Sequence, residues 1–182
     1  PQGDTGPTGP QGDTGPQGDT GPTGPEPILA DCDCNLQITN IIDQIITAFP
    51  DSEITVNLEN GVTATGIPDS ISNNALFNLA DDEGTIISRL SICRIASIVL
   101  TGDDTFDGFT FLPDPDPLPT GCGAECEAAV RAYLESLDPG ETVTVTAGGT
   151  TLGVGEVTAT AYGVAIINNN IAVNTCKVEV MA

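Results

Sequence analysis

The chain has 182 residues, with 26 acidic against 4 basic side chains, no histidine, no tryptophan and a formal net charge of −22. Without histidine the commonest general base and metal ligand is missing, and so negative a field repels nucleic acid and anionic membrane. Aliphatic residues are abundant, aromatics are scarce, and no run approaches the ~20 apolar residues of a membrane helix.

Glycine stands at every third position through Gly3, Gly6, Gly9, Gly12, Gly15, Gly18, Gly21 and Gly24. Only glycine fits the crowded axis where three polyproline-II chains meet, so this period predicts a collagen triple-helix stalk over 1–27 and a homotrimer. A flexible Gly/Pro linker has no reason to keep a strict period. Within the triplets that each glycine opens, proline stands only in the position directly after the glycine (Pro7, Pro10, Pro16, Pro22, Pro25), so nothing requires prolyl hydroxylation. Thr5, Thr8, Thr14, Thr20 and Thr23 fill the third slot, a habit of bacterial and viral collagen-like proteins, and are able to carry sugars. At ~3 Å per residue the rod is about 7 nm long, too short to stand alone. It is expected to be held from one end or to continue upstream, and Pro1 in place of a start methionine fits a processed or trimmed chain.

A mostly-β head follows. From Cys34, Ile38, Ile41, Ile42, Ile45, Ile46 and Phe49 recur at intervals of three and four before Pro50, which predicts a helix with one buried face. Residues 53–67 alternate apolar and polar side chains about Asn60-Gly61, a strong hairpin signal. Strands are expected over 76–79, 85–90 and 92–100, with turns at Asn73-Asn74 and Asp82–Gly84. Together 28–100 make a first unit of one helix and five strands.

Residues 101–121 form an acidic, proline-rich linker with no regular structure expected. Asp103, Asp104 and Asp107 are weak Ca²⁺ candidates, lacking the spacing and closing glutamate of an EF-hand loop. Otherwise no metal and no cofactor is expected.

The order then returns over 122–182. Cys126 opens a helix with Val130, Tyr133, Leu134 and Leu137 on one face, broken at Pro139-Gly140, and a hairpin follows about Gly148-Gly149. Ile54, Val56, Leu58 and Gly66 lie 89 residues before Val143, Val145, Ala147 and Gly155. Cys93-Arg94 and Cys176-Lys177 each place a cysteine and a basic residue at the start of the last strand. The head reads as a duplication.

Cys32, Cys34, Cys93, Cys122, Cys126 and Cys176 in a collagenous, exported chain are disulfide candidates. Their spacings lack the paired CxxC of zinc ribbons. The simplest intradomain bonds are 34–93 and 126–176, each joining a helix start to a last strand. Cys32 and Cys122, ahead of the helices and without counterparts, are the candidates for bonds between chains.

A short helix followed by five bent strands, the second entered through an Asn-Gly or Gly-Gly turn, resembles the Sm-like small β-barrel. ITVNLENGVTATG, LFNL and TIISRLSICRIASIVL look like the single-barrel Sm-like proteins of spore-forming bacteria, well over 34–100 and more loosely over 126–181. The resemblance implies two tandem barrels per chain, and rings of six or seven made by edge-strand pairing. Three chains would supply six barrels, a pseudo-hexameric ring on the stalk. RNA binding is not carried over, because Arg89, Arg94, Arg131 and Lys177 cannot offset the acidic field. The Gly-Asp-Thr and Gly-Pro-Thr triplets joined to a cysteine-bearing β head resemble collagen-like filament proteins of the bacterial exosporium and spore appendages.

The expected function is a structural trimeric subunit of a spore-surface or extracellular filament, the head serving trimerisation and assembly. Its partner is itself, with other surface proteins as further candidates and neither nucleic acid nor membrane. The alternative is a ligand-binding or adhesive tip on a spore or phage fibre, although such heads usually carry surface aromatics. No nucleophile–base pair points to an enzyme.

Overall fold

The computed structural model describes residues 2–4, 6 and 30–182, with side chains from residue 33 onward in the last span. The described part of the head is mostly β, one antiparallel sheet of ten strands with two helices. Helix α1 (Ala30–Ala48) precedes β1 (Ile54–Leu58), β2 (Thr63–Ser72), β3 (Leu76–Ala80), β4 (Ile86–Ser91) and β5 (Ile95–Leu100). Helix α2 (Cys122–Glu135) precedes β6 (Thr142–Ala147), β7 (Thr150–Ala161), β8 (Val164–Ile167), β9 (Ile171–Asn174) and β10 (Val180–Met181). In each half a 3-10 turn, Ile92–Arg94 or Thr175–Lys177, leads into the last strand.

Both helices begin four residues before the expected Cys34 and Cys126. Apolar periodicity reports only the packed part of a helix, and the opening turns of α2 bury only Ala124 and Glu127, leaving Cys122 and Cys126 exposed. Further along α1, Ile38, Ile41, Ile42 and Ile45 are fully buried, as the three-and-four spacing requires. The strand expected over 92–100 is broken. Ile92 is buried in the 3-10 turn, where its amide donates to the Ala75 carbonyl at 2.9 Å, so apolar spacing runs across the break unmarked.

Strands β2 and β7 are long because each serves two partners. β2 pairs with β1 through Gly66 and with β3 from Ile67; β7 pairs with β6 through Glu156 and with β8 from Val157. Gly66 faces Ile54 and Gly155 faces Val143, the equivalent register in each half. At Gly155, with φ +147°, a Cβ would fall 2.0 Å from Asn168 Oδ1. That Asn168 side chain accepts from the Glu156 amide and donates to the Val154 carbonyl. Glycine is required where this strand turns from one partner to the next.

The sheet order is β10-β6-β7-β8-β9-β5-β1-β2-β3-β4, so the two sets of five strands form one continuous sheet. The join is antiparallel β5 against β9, with Ser97 opposite Val173, Ile98 opposite Ala172 and Val99 opposite Ile171. Strands beside the join are buried on both faces. Val164, Ile166 and Ala172 pack into the core under α1, while Ala165, Ile167 and Val173 pack into the core under α2 with Leu134, Val143 and Val145. Ala96 of β5 crosses into that second core. Each half therefore completes the other's core, which makes the join an obligatory part of the fold.

Residues 101–121 contain no helix or strand. They are nevertheless held. Phe106 is buried and stacks edge-on against Phe109, which lies parallel to Phe49 of the helix terminus. Gln44 and Gln37 clasp the backbone: the Thr110 amide donates to Gln44 Oε1 at 2.8 Å and the Leu112 amide to Gln37 Oε1 at 2.9 Å. The expected exposed linker is thus in part a strap over the first core, because three phenylalanines in an acidic run bury themselves where a neighbouring apolar face is open.

Candidate functional site

The chemistry of the head concentrates at the seam between its halves. Cys34 of α1 forms a disulfide with Cys176 in the second 3-10 turn, 142 residues later. The bond crosses from one half to the other, and Cys93 and Cys126 are free and exposed, so the expected 34–93 and 126–176 pairs are not formed. The reason is tertiary. α1 lies over β8 and the turn at 175–177 of the other half, which brings Cys34 against Gly163. A Cβ on Gly163 would sit 2.8 Å from Cys34 Cα, and φ there is +81°, so glycine lets the helix approach closely enough to bond.

A charge cluster closes the same seam. Glu59, at the tip of the β1–β2 hairpin, pairs with Arg94 of its own half and with Lys177 of the other, Lys177 Nζ lying 3.2 Å from Glu59 Oε2. Burial pushes the Glu59 carboxyl up, but the hydrogen bonds and charges of Arg94 and Lys177 outweigh it and hold the group below its ordinary range. The Arg94 guanidinium is shifted up in return, chiefly by its hydrogen bond to Glu59. Hairpin tips meet here too: a Cβ at Gly148 would fall 2.1 Å from the Glu59 carbonyl oxygen. The two basic residues noted in sequence as equivalent thus converge on one carboxylate.

Side-chain bonds to the backbone extend the join. Buried Asn174 donates through Nδ2 to the Ile95 carbonyl at 3.1 Å, and Asn170 Nδ2 donates to the Leu100 carbonyl at 3.3 Å.

Beneath α2 lies a group that periodicity did not reveal. Glu127 is fully buried. Its Oε1 accepts from the Gly163 amide at 3.1 Å, from Thr175 Oγ1 at 3.0 Å and from Arg131 Nε at 3.3 Å, and Arg131 also lies 5.8 Å from the Tyr162 ring centroid. This carboxylate ties the helix to the β7–β8 turn and to the 3-10 turn that carries Cys176. A Glu–Arg pair four apart on a helix was its only sequence signal, and that spacing ordinarily marks a solvent face.

Of the expected stalk glycines, Gly3 and Gly6 are exposed with open space at the Cβ position. Gly9, Gly12, Gly15, Gly18, Gly21 and Gly24 lie outside the described residues, as does the Cys32 side chain. Asp103 and Asp107 are exposed and Asp104 partly so. Among the described residues no three Cys, Asp or Glu side chains gather where they would hold a metal ion, so the weak calcium candidates stay apart. Cys122 is free and exposed.

What the arrangement can do is mechanical. It locks two five-stranded halves by sheet pairing, a disulfide and an ion cluster. Among the described residues the sheet ends in two strands paired on one side only, β4 and β10. Each bears a large exposed aliphatic side chain, Ile87 at 53% and Val180 at 56% exposure. No protein-family model, curated protein or solved structure matches the chain.

Proposed function

We propose that the chain is a structural subunit of a bacterial spore-surface or extracellular filament, trimeric through a collagen-like stalk, with a head that closes into a ring. The stalk reading is supported by the unbroken glycine period, which serves no purpose in a single chain. The Sm-like reading of each half is supported by the repeated order of a helix, five antiparallel strands and a 3-10 turn before the last.

One observation carries the ring. Within the chain, the fifth strand of the first half pairs with the fourth strand of the second, β5 with β9. The edges left open are the fourth strand of the first half and the fifth of the second, β4 and β10. These are the complementary pair, so the same junction repeated between chains is self-consistent, and three chains return it to its start after six halves.

The test is the mass of the full chain by native mass spectrometry under reducing conditions, with circular dichroism. A trimer with a collagen band is expected, and Gly12→Ala should remove the band while the head stays folded. A monomer at micromolar concentration, or a head that unfolds with the stalk, would contradict the proposal.

A further inference from the structure

The disulfide from Cys34 to Cys176 has an unmade twin. Cys34 is the fifth residue of α1, and Cys126 is the fifth residue of α2. Cys176 is the middle residue of the second 3-10 turn, and Cys93 is the middle residue of the first. Strand registers confirm the equivalence. Ser97 faces Asn57 as Val180 faces Thr146, and Leu90 faces Phe77 as Val173 faces Ala165. The formed bond therefore runs from the helix of one half to the 3-10 turn of the half whose fourth strand pairs with it. Applying the same relation at the other end of the sheet takes Cys126 to Cys93 of a second copy of this chain. Both thiols are free and exposed: Cys93 lies in the turn directly after the edge strand β4, and Cys126 in the helix of the half whose edge strand is β10.

We propose that Cys126 of one chain and Cys93 of the next form a disulfide that closes the head covalently, three such bonds per trimer. This rests on the ring of the preceding section. The same transfer of register sets Val180 opposite Leu90 and Met181 opposite Arg89 of the neighbouring copy, just as Ser97 faces Val173 and Ile98 faces Ala172 within the chain. Chemically, a Cys126 or Cys93 thiolate attacks a small-molecule disulfide such as oxidised glutathione and releases one thiol. The second cysteine then displaces the other, so two protein thiols become one S–S bond and the oxidant is reduced to two thiols.

The full chain is refolded with oxidised glutathione and run on non-reducing gels, with peptide mapping. A covalent trimer containing a Cys93–Cys126 peptide is expected. Cys93→Ser and Cys126→Ser should each abolish it, both sites being exposed and outside the packed core, whereas Cys32→Ser and Cys122→Ser should keep it. Mixing is the sharper arm. When Cys93→Ser and Cys126→Ser chains are co-assembled, each mixed trimer holds a single complementary contact, so covalent dimers appear that neither variant forms alone. A non-covalent trimer under reducing conditions that yields no Cys93–Cys126 peptide on oxidation overturns this inference and leaves the ring standing. Cross-linking that survives both substitutions also overturns it. A monomer under reducing conditions removes the ring and this bond together.

Discussion

Lys177 Nζ lies 3.2 Å from Glu59 Oε2, so a basic residue of the second half meets a carboxylate at the hairpin tip of the first. Arg94, its equivalent in the first half, meets the same carboxylate. Because the Glu59 carboxyl titrates below its ordinary value when folded, its stabilisation is complete above the unfolded value of about 4.3 and drains away as the pH falls through the lower folded value. Glu59→Gln should cost no more than about 1 kcal/mol at neutral pH, since partly exposed pairs are screened. The loss should shrink in high salt and vanish once the pH has fallen below the folded value. A urea midpoint series over pH tests this, and a difference that grows on acidification would contradict it.

The disulfide closes a loop spanning 142 residues of sequence. In the chain-entropy model a loop of that length stabilises by about 5 kcal/mol. Cys34→Ser and Cys176→Ser should each lower stability by a similar amount, and a reducing agent should lower the parent to the same level while leaving both variants unmoved. These measurements belong in a Cys93→Ser background, where the proposed Cys93–Cys126 bond cannot form. Indifference of the parent to reductant would show that the bond does not constrain the head.

Glu127 and Arg131 form a pair in which the carboxylate is fully enclosed and the guanidinium is partly open to solvent. Arg131→Ala strands a buried charge, for which about 3 kcal/mol is expected. Glu127→Gln retains an acceptor for Thr175 and the Gly163 amide and should cost less, about 1 kcal/mol. Chemical denaturation at pH 7 gives both values; the reverse ranking would mean that the charge is not what holds this helix.

Ile87 on β4 and Val180 on β10 expose apolar surface beside unpaired backbone. A lysine on an edge strand blocks pairing with another strand. Ile87→Lys and Val180→Lys should leave the far-ultraviolet spectrum of the head unchanged, yet let a reduced trimer dissociate once it is heated past loss of the collagen band. A parent whose chains separate at the same temperature as these variants would show that the edges contribute nothing.

Much of this molecule was legible in one dimension. Local signals sufficed for the helices, the Asn60-Gly61 and Gly148-Gly149 hairpins and the repetition of elements, because side-chain period and turn chemistry act over a few residues. The start of α2 is not legible because its opening turns bury a small Ala124 and a charged Glu127, which an apolar period does not count, and the phenylalanines of 101–121 show no period by which to be recognised as core. Pairing was not legible. Four cysteines at equivalent places in two similar halves admit bonding within each half or across them, and spacing treats those alternatives alike. Packing decides between them: β5 joins β9, α1 lies over the second half, and Gly163 lets Cys34 approach the turn that carries Cys176. Sequence determined which pieces form and that they are repeated, since those depend on neighbours along the chain; only tertiary structure decided which half each piece completes, since contacts between residues far apart in the chain depend on how buried surfaces fit.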